Sequence, residues 1–356
     1  MRMDQATLDD PAAIAAVDES DMLGAVGGLG RQLGQGFHAG LAVPGLPSAA
    51  SLRSVVVCGM GGSGIAGDVA RSLLAERLAI PIGVIKGYTL PEYCQRNTLV
   101  IALSFSGNTE ETLAAYAQAV AAGCRVVAVS AGGELAALAD ADGTAWVAVP
   151  ASIPAPRAAL GFLSGAALGL LQAVGLAPPC DADVDRTAAL LDQMAGGFSS
   201  TVGEEENEAK SVARWLLGRV PVVWGSEGLA GAAALRWKNQ LNENAKVPAF
   251  RSVLPELDHN EIEGWSAQAG ESFAVVALRH RGEHPRVEAR LSATLQAVAG
   301  SGLAARQVEA EGSSALEWLF SLILKGDFVS TYLAILRGVD PTPVPVLTGL
   351  KERLPR

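Results

Sequence analysis

Basic charge is what this chain of 356 residues lacks most clearly: its 27 Lys and Arg are outnumbered by 37 Asp and Glu, for a formal net charge of -10. Nucleic acid and anionic lipid repel such a surface, so neither is expected as the main partner, and any anionic ligand must be held by local donors. Cysteine is scarce as well. Cys58, Cys94, Cys124 and Cys180 are far apart, form no C-x-x-C pair and stand beside apolar neighbours, which argues against a structural zinc site and fits a reduced, cytoplasmic protein. Export by a signal peptide is not expected either: MRMDQATLDDPAAIAAVDES carries acidic residues where a basic and then apolar stretch would be needed. One uncharged and largely apolar run, 158–176, AALGFLSGAALGLLQAVGL, is long enough to cross a bilayer. Small residues dominate it, and Gly161, Gly165 and Gly169 recur on one helical face. That spacing predicts a buried helix packed closely on another, within a domain or across a dimer, rather than a membrane span.

What is present is α/β alternation, twice over. Short β-branched runs at 54–58, 80–85, 99–103, 125–130 and 145–149 alternate with helical periodicity at 64–78 and 110–122, which reads as a parallel sheet with helices on both faces. The prolines in LAPPCD, after Gly175, mark a linker. Helical patterns at 186–198 and 204–217 then lead to strands at 220–224, 272–278 and 303–308. The fold class is therefore α/β, two tandem αβα sandwiches with mainly parallel sheets, divided as 1–178 and 179–356.

Two turns of the first half follow strands. In VVVCGMGGSGIAGD, Gly59, Gly61 and Gly64 satisfy G-x-G-x-x-G, so a dinucleotide site must be weighed. No acidic residue ends the next strand to hold a ribose, although Lys86 could meet a 2′-phosphate. The second turn, SFSGNTEET at 104–112, offers Ser104, Ser106 and Thr109 where a helix begins, with Ser63, Gly61 and Gly62 in the neighbouring loop. One N-cap needs one hydroxyl. Several hydroxyls together with free backbone N–H groups suit a phosphate, which a helix N-terminus also favours by roughly 0.3–2 kcal/mol.

These two motifs resemble the sugar isomerase (SIS) domain, and with PRAALGFL at 156–163, NENAKVP at 242–248, ELDHNEIEGW at 256–265 and DPTPVPVLTGLKERL at 340–354 the chain resembles the bifunctional phosphoglucose/phosphomannose isomerase family over nearly its whole length. The resemblance implies exchange of glucose 6-phosphate, and mannose 6-phosphate, with fructose 6-phosphate through an enediolate, without metal or other cofactor. It implies Glu243 as the base that moves a proton between C2 and C1, His259 as the group that opens the ring, reaching across a homodimer, and Lys351 as its assistant. Arg157, a cation awkwardly placed at the head of an uncharged helix, is expected to stabilise the oxyanion, with Ser63, Ser104, Ser106, Thr109, Gly61 and Gly62 expected around the phosphate.

Taken singly, each of these residues has a plainer reading. A glutamate near a helix end is usually solvated, a histidine in an Asp-His-Asn loop is usually exposed, and a lysine in a C-terminal helix is usually free. Lys325 is a rival to Lys351, though a paired stripe explains it. The small hydroxyl that the resemblance implies beside C2 falls on Val344 by counting, with Thr342 and Thr348 nearby. A non-catalytic phosphosugar sensor and an NADP-dependent oxidoreductase are the alternatives. Glutamine-dependent amination is disfavoured because the N-terminus offers no cysteine nucleophile.

Overall fold

The computed structural model describes residues 8–265 and 272–354. The earliest part of the acidic N-terminal stretch, residues 1–7, lies outside them. The first sheet takes β1 (Ser54–Cys58), β2 (Ile82–Ile85), β3 (Thr98–Leu103), β4 (Arg125–Ser130) and β5 (Ala145–Ala148), all parallel, in the order β2-β1-β3-β4-β5. Successive side chains of β1 enter opposite layers: Val55 and Val57 join one apolar cluster, Val56 and Cys58 another. A strand covered on both faces must be apolar throughout, which is why SVVVC and TLVIAL carry no charge. Helices α4 (Gly61–Leu74), α5 (Glu110–Ala121) and α6 (Gly133–Ala141) make the crossovers.

A second parallel sheet, in the order β7-β6-β8-β9, comprises β6 (Val220–Ser226), β7 (Phe250–Leu254), β8 (Phe273–Arg279) and β9 (Ala304–Glu309), with α10 (Leu229–Glu243), α11 (Pro285–Val298) and α12 (Ala315–Leu336). Strand β7 is absent from the sequence reading. FRSVL is an edge strand with Phe250 and Arg251 exposed, so it shows no buried run. Helix α10 begins directly after Gly228, whose φ of 90 turns the chain straight from β6 into LAGAAA.

Further helices complete the fold. They are α1 (Pro11–Val17), α2 (Met22–Gly27), α3 (Leu29–Leu41), α7 (Leu160–Ala173), α8 (Asp181–Gly197), α9 (Glu208–Leu216) and α13 (Pro345–Arg353). The uncharged segment becomes a 3-10 turn, Pro156–Ala159, followed by α7, and α7 lies along α3 of the same chain. Their backbones touch: a Cβ at Gly165 would stand 2.2 Å from Leu33 O, and one at Gly36 would stand 2.0 Å from Phe162 O. The glycine stripe therefore serves a packed pair within the chain. Helix α12 is also long and apolar enough to cross a bilayer, and it is wholly buried. Its first turn is held by a capping box between Ser314 and Glu317. One buried apolar cluster contains Val55 and Leu99 of the first sheet together with Val223 and Val276 of the second, so the two sandwiches share a core.

Candidate active site at the carboxyl edge of the first sheet

β1 and β3 lie side by side at the centre of their sheet, and the chain leaves them in opposite directions, which opens a crevice at their carboxyl ends. The turn after β1 is closed by Gly61 at φ 51, a conformation that costs glycine little. Gly64 is equally constrained, since a Cβ there would stand 2.6 Å from Gly59 O. In the turn after β3, the Ser104 hydroxyl accepts from Gly107 N–H at 3.1 Å and shares a hydrogen bond with the Thr109 hydroxyl at 2.8 Å. Ser106 Oγ accepts from Asn108 N–H at 3.2 Å, and Ser63 Oγ accepts from Phe105 N–H at 3.3 Å, which ties the two turns together. Thr109 is the N-cap of α5 yet makes no side-chain cap bond, and α4 starts at Met60 without one either. Two uncapped helix N-termini and four hydroxyls thus gather at one edge, an arrangement that can receive a dianion. Lys86, the residue that could have met a 2′-phosphate, gives its ammonium to Asp68 on α4. Glu110, in the first turn of α5, is exposed and receives the Tyr88 hydroxyl.

The first turn leads directly to Arg157. A Cβ on Gly62 would stand 3.1 Å from Pro156 O and 3.3 Å from Arg157 Cα, so the glycine is pressed against that backbone. Arg157 sits in the turn before α7 and is buried. Its Nε donates to Asn244 Oδ1 at 2.7 Å, and its Nη2 donates to Pro341 O at 2.8 Å and Thr342 O at 2.7 Å. Nη1 makes no hydrogen bond among the described residues. Burial lowers the Arg157 pKa, and the Glu243 carboxylate acts first among its neighbours to oppose that fall.

Glu243 is the last residue of α10 and is half-buried, and its carboxylate accepts no hydrogen bond among the described residues. Three residues on, Lys246 adopts φ 54 and turns its ammonium to Glu243 O and to Pro341 O. Burial lowers its pKa, with Arg157 adding to the effect. The segment 340–342 is thereby fastened to the helix end that bears Glu243. Of the three residues weighed beside C2, Thr342 has its hydroxyl sealed from water without a hydrogen-bond partner among the described residues, whereas Thr348 is exposed and donates to Val344 O. Val344 is half-buried at the cap of α13.

His259 and Lys351 are not drawn in. His259 is exposed at the end of the turn Glu256–His259, and Lys351 is exposed on α13, neither bonded to this cluster among the described residues. Lys325, the rival, is buried and pairs with Glu208 at 2.8 Å and Glu311 at 3.1 Å. The sequence reading missed Asn244 and Lys246 as site residues, although both stand in the NENAKVP stretch. No group of three or more His, Cys, Asp or Glu side chains is placed to share a metal among the described residues.

The glycine turn thus abuts the Arg157 backbone, the Arg157 side chain is bonded to the neighbour of Glu243, and the chain that carries them has known relatives. Residues 50–160 match the SIS domain and residues 205–354 match the bacterial phospho-glucose isomerase C-terminal SIS domain. A bifunctional phosphoglucose/phosphomannose isomerase of Caldicellulosiruptor bescii is 36% identical over 335 residues, 94% of this chain and 98% of that protein. The chain belongs to the bifunctional phosphoglucose/phosphomannose isomerase family. A second family member, from Aquifex aeolicus, is 34% identical over 304 residues, covering 85% of this chain and 90% of its own. The solved glucose-6-phosphate isomerase like protein from Thermus thermophilus shares the fold, with a TM-score of 0.62 at 21% identity, covering 96% of this chain and 99% of that one.

Proposed function

We propose that this chain interconverts glucose 6-phosphate, and mannose 6-phosphate, with fructose 6-phosphate. The observation that carries the reading is the junction at Arg157: its backbone abuts the glycine turn of the hydroxyl-rich edge, and its guanidinium is bonded to the residue next to Glu243. Ser63, Ser104, Ser106 and Thr109, with the backbone of Gly61 and Gly62, hold the phosphate, so the open-chain sugar extends toward α10. Glu243 takes the C2 proton and returns it to C1, and the arginine nitrogen left unbonded faces the developing oxyanion. A carboxylate accepting no hydrogen bond keeps its lone pairs for a carbon-bound proton. Thr342, whose main-chain oxygen accepts from that guanidinium, is the candidate for accommodating either C2 epimer.

His259 and Lys351 are exposed in one chain, and α13 presents Val346, Leu347, Leu350 and Leu354 to solvent. A homodimer in which the partner's copy of that histidine completes each site answers both features, and four free cysteines suit a cytoplasmic enzyme. We take the division at 178/179 as the boundary between the two sandwiches. A non-catalytic sensor would need the phosphate edge but not an unengaged carboxylate beside it.

Purified protein in EDTA, supplied with fructose 6-phosphate, is expected to yield both aldose phosphates, and Glu243→Gln to lose both while still binding the sugar phosphate. A reassorted equal mixture of Glu243→Gln and His259→Ala chains should regain about a quarter of wild-type activity, since about half of the dimers are mixed and one of their two sites is intact. Retained turnover in Glu243→Gln would remove the base, and no recovery in the mixture would remove the shared site.

A further inference from the structure

Along α10, Arg236, Gln240 and Asn244 recur every fourth residue and form one buried polar stripe. It faces Asp327 and Ser330 on α12. Arg236 meets Asp327 through two bonds of 2.8 Å, Nε to Oδ1 and Nη2 to Oδ2, with both side chains almost completely buried. Its Nη2 also donates to the main-chain oxygen of Arg157 at 2.7 Å. Four residues beyond Gln240, Asn244 accepts from Arg157 Nε and passes its own Nδ2–H to Ser330 Oγ at 3.0 Å, and Ser330 Oγ donates to Asp327 O at 2.9 Å. Arg157 is gripped at backbone and side chain by one continuous network from the other half of the molecule.

An apolar pair would fill this helix interface at no greater cost, because desolvating two charges offsets most of their attraction. The ion pair does something an apolar pair cannot. It aims a fixed guanidinium donor at the carbonyl of a residue that lies against the phosphate turn. Lysine cannot reproduce the planar fork that serves Asp327 and the carbonyl together.

We propose that the Arg236–Asp327 pair is a positioning device for Arg157: it sets where the unbonded nitrogen of Arg157 stands relative to the reacting carbons and acts on turnover only through that residue. The proposal rests on the reading of Arg157 as the group that meets the oxyanion. Arg236→Lys keeps a positive charge for Asp327 and loses the grip on the carbonyl. In the full-length enzyme with fructose 6-phosphate, kcat should fall about ten- to a hundredfold while KM stays within about twofold. In an Arg157→Ala background the same change should alter the residual kcat by less than about twofold, because the residue through which it acts is gone.

Unchanged kcat in Arg236→Lys, or losses that multiply in the double variant, overturns the proposal. An Arg157→Ala chain with undiminished kcat overturns the reading of Arg157 first, and the proposal with it. Should Arg236→Lys fail to fold, Arg236→Met joined to Asp327→Leu carries the same test. It fills the interface with an apolar pair and removes the donor to the Arg157 carbonyl, and the same kcat loss and the same silence beside Arg157→Ala are expected.

Discussion

At the carboxyl edge of the first sheet, β1 runs into a turn closed by Gly61 at φ 51. At the edge of the second, β6 runs into one closed by Gly228 at φ 90, and in both places a helix starts without a side-chain cap. The backbones are alike and the side chains are not. Two residues beyond the glycine stands Ser63 in the first turn and Ala230 in the second. After the adjacent strand come Ser104, Ser106 and Thr109 in one case and His280-Arg281-Gly282-Glu283 in the other. Among the described residues, the hydroxyls of the first edge are bonded to one another and to N–H groups of the second turn. The second supplies its own anion: Glu283 receives the Ser226 hydroxyl at 3.2 Å and Arg279 Nε at 2.8 Å, while His280 stacks on Trp318 with ring centroids 5.5 Å apart. A strand–turn–helix edge is thus a frame for a negative group, and the side chains decide whether that group arrives with a ligand or is part of the chain.

Converting the first edge into the second should have the largest effect. Ser106 is exposed, so Ser106→Asp adds a carboxylate without disturbing the core. It should lower kcat/KM by about a thousandfold, ~4 kcal/mol, through repulsion of a dianion. Steady-state kinetics reads this, and a KM within about threefold of wild type would mean the phosphate binds elsewhere.

The second edge should reveal itself in stability instead. Burial, with Arg279 beside it, lowers the His280 pKa from 6.5 to about 4, and its Nδ1 accepts from Gly282 N–H at 3.2 Å as only a neutral ring can. Between those pH values the unfolded chain binds the proton and the folded chain does not. The resulting stability is fully present above pH 6.5 and is lost as the pH falls toward 4, in total ~3 kcal/mol. Urea unfolding at about pH 7 and about pH 4.5 should show a smaller difference for His280→Gln than for wild type. Equal differences would place the sensitivity in other groups.

Smallest of the three is the loss of the internal anion. Glu283→Gln leaves Arg279 with the longer contact to Glu288, at 3.8 Å, and should cost about 2 kcal/mol in thermal unfolding, with turnover within about twofold of wild type. A substantial fall in turnover would mean that the second edge also serves the reaction.

Much of this was legible in the chain. Runs such as SVVVC are apolar because both faces of their strands are covered, and SFSGNTEET carries more hydroxyls than one cap can use. Other features were not. FRSVL hides as a strand because an edge shows solvent on several positions. Lys246 reads as one more surface lysine until its ammonium is seen folded back on the carbonyls of Glu243 and Pro341. Arg157 was legible as an awkward cation at the head of an uncharged helix, but nothing in its neighbours says that its bonds lie in another part of the chain.

Local rules acting over a few residues determined the two parallel sheets, the hydroxyl-rich turns and the glycine stripe, since periodicity, sterics and backbone valence operate within a helix turn or a strand pair. The assembly of the site was decided in space. Arg157 reaches partners 87, 184 and 185 residues away in sequence. Contacts of that span exist only because burial of a shared apolar core brings both halves together, and no short stretch of sequence records which polar groups will then face each other.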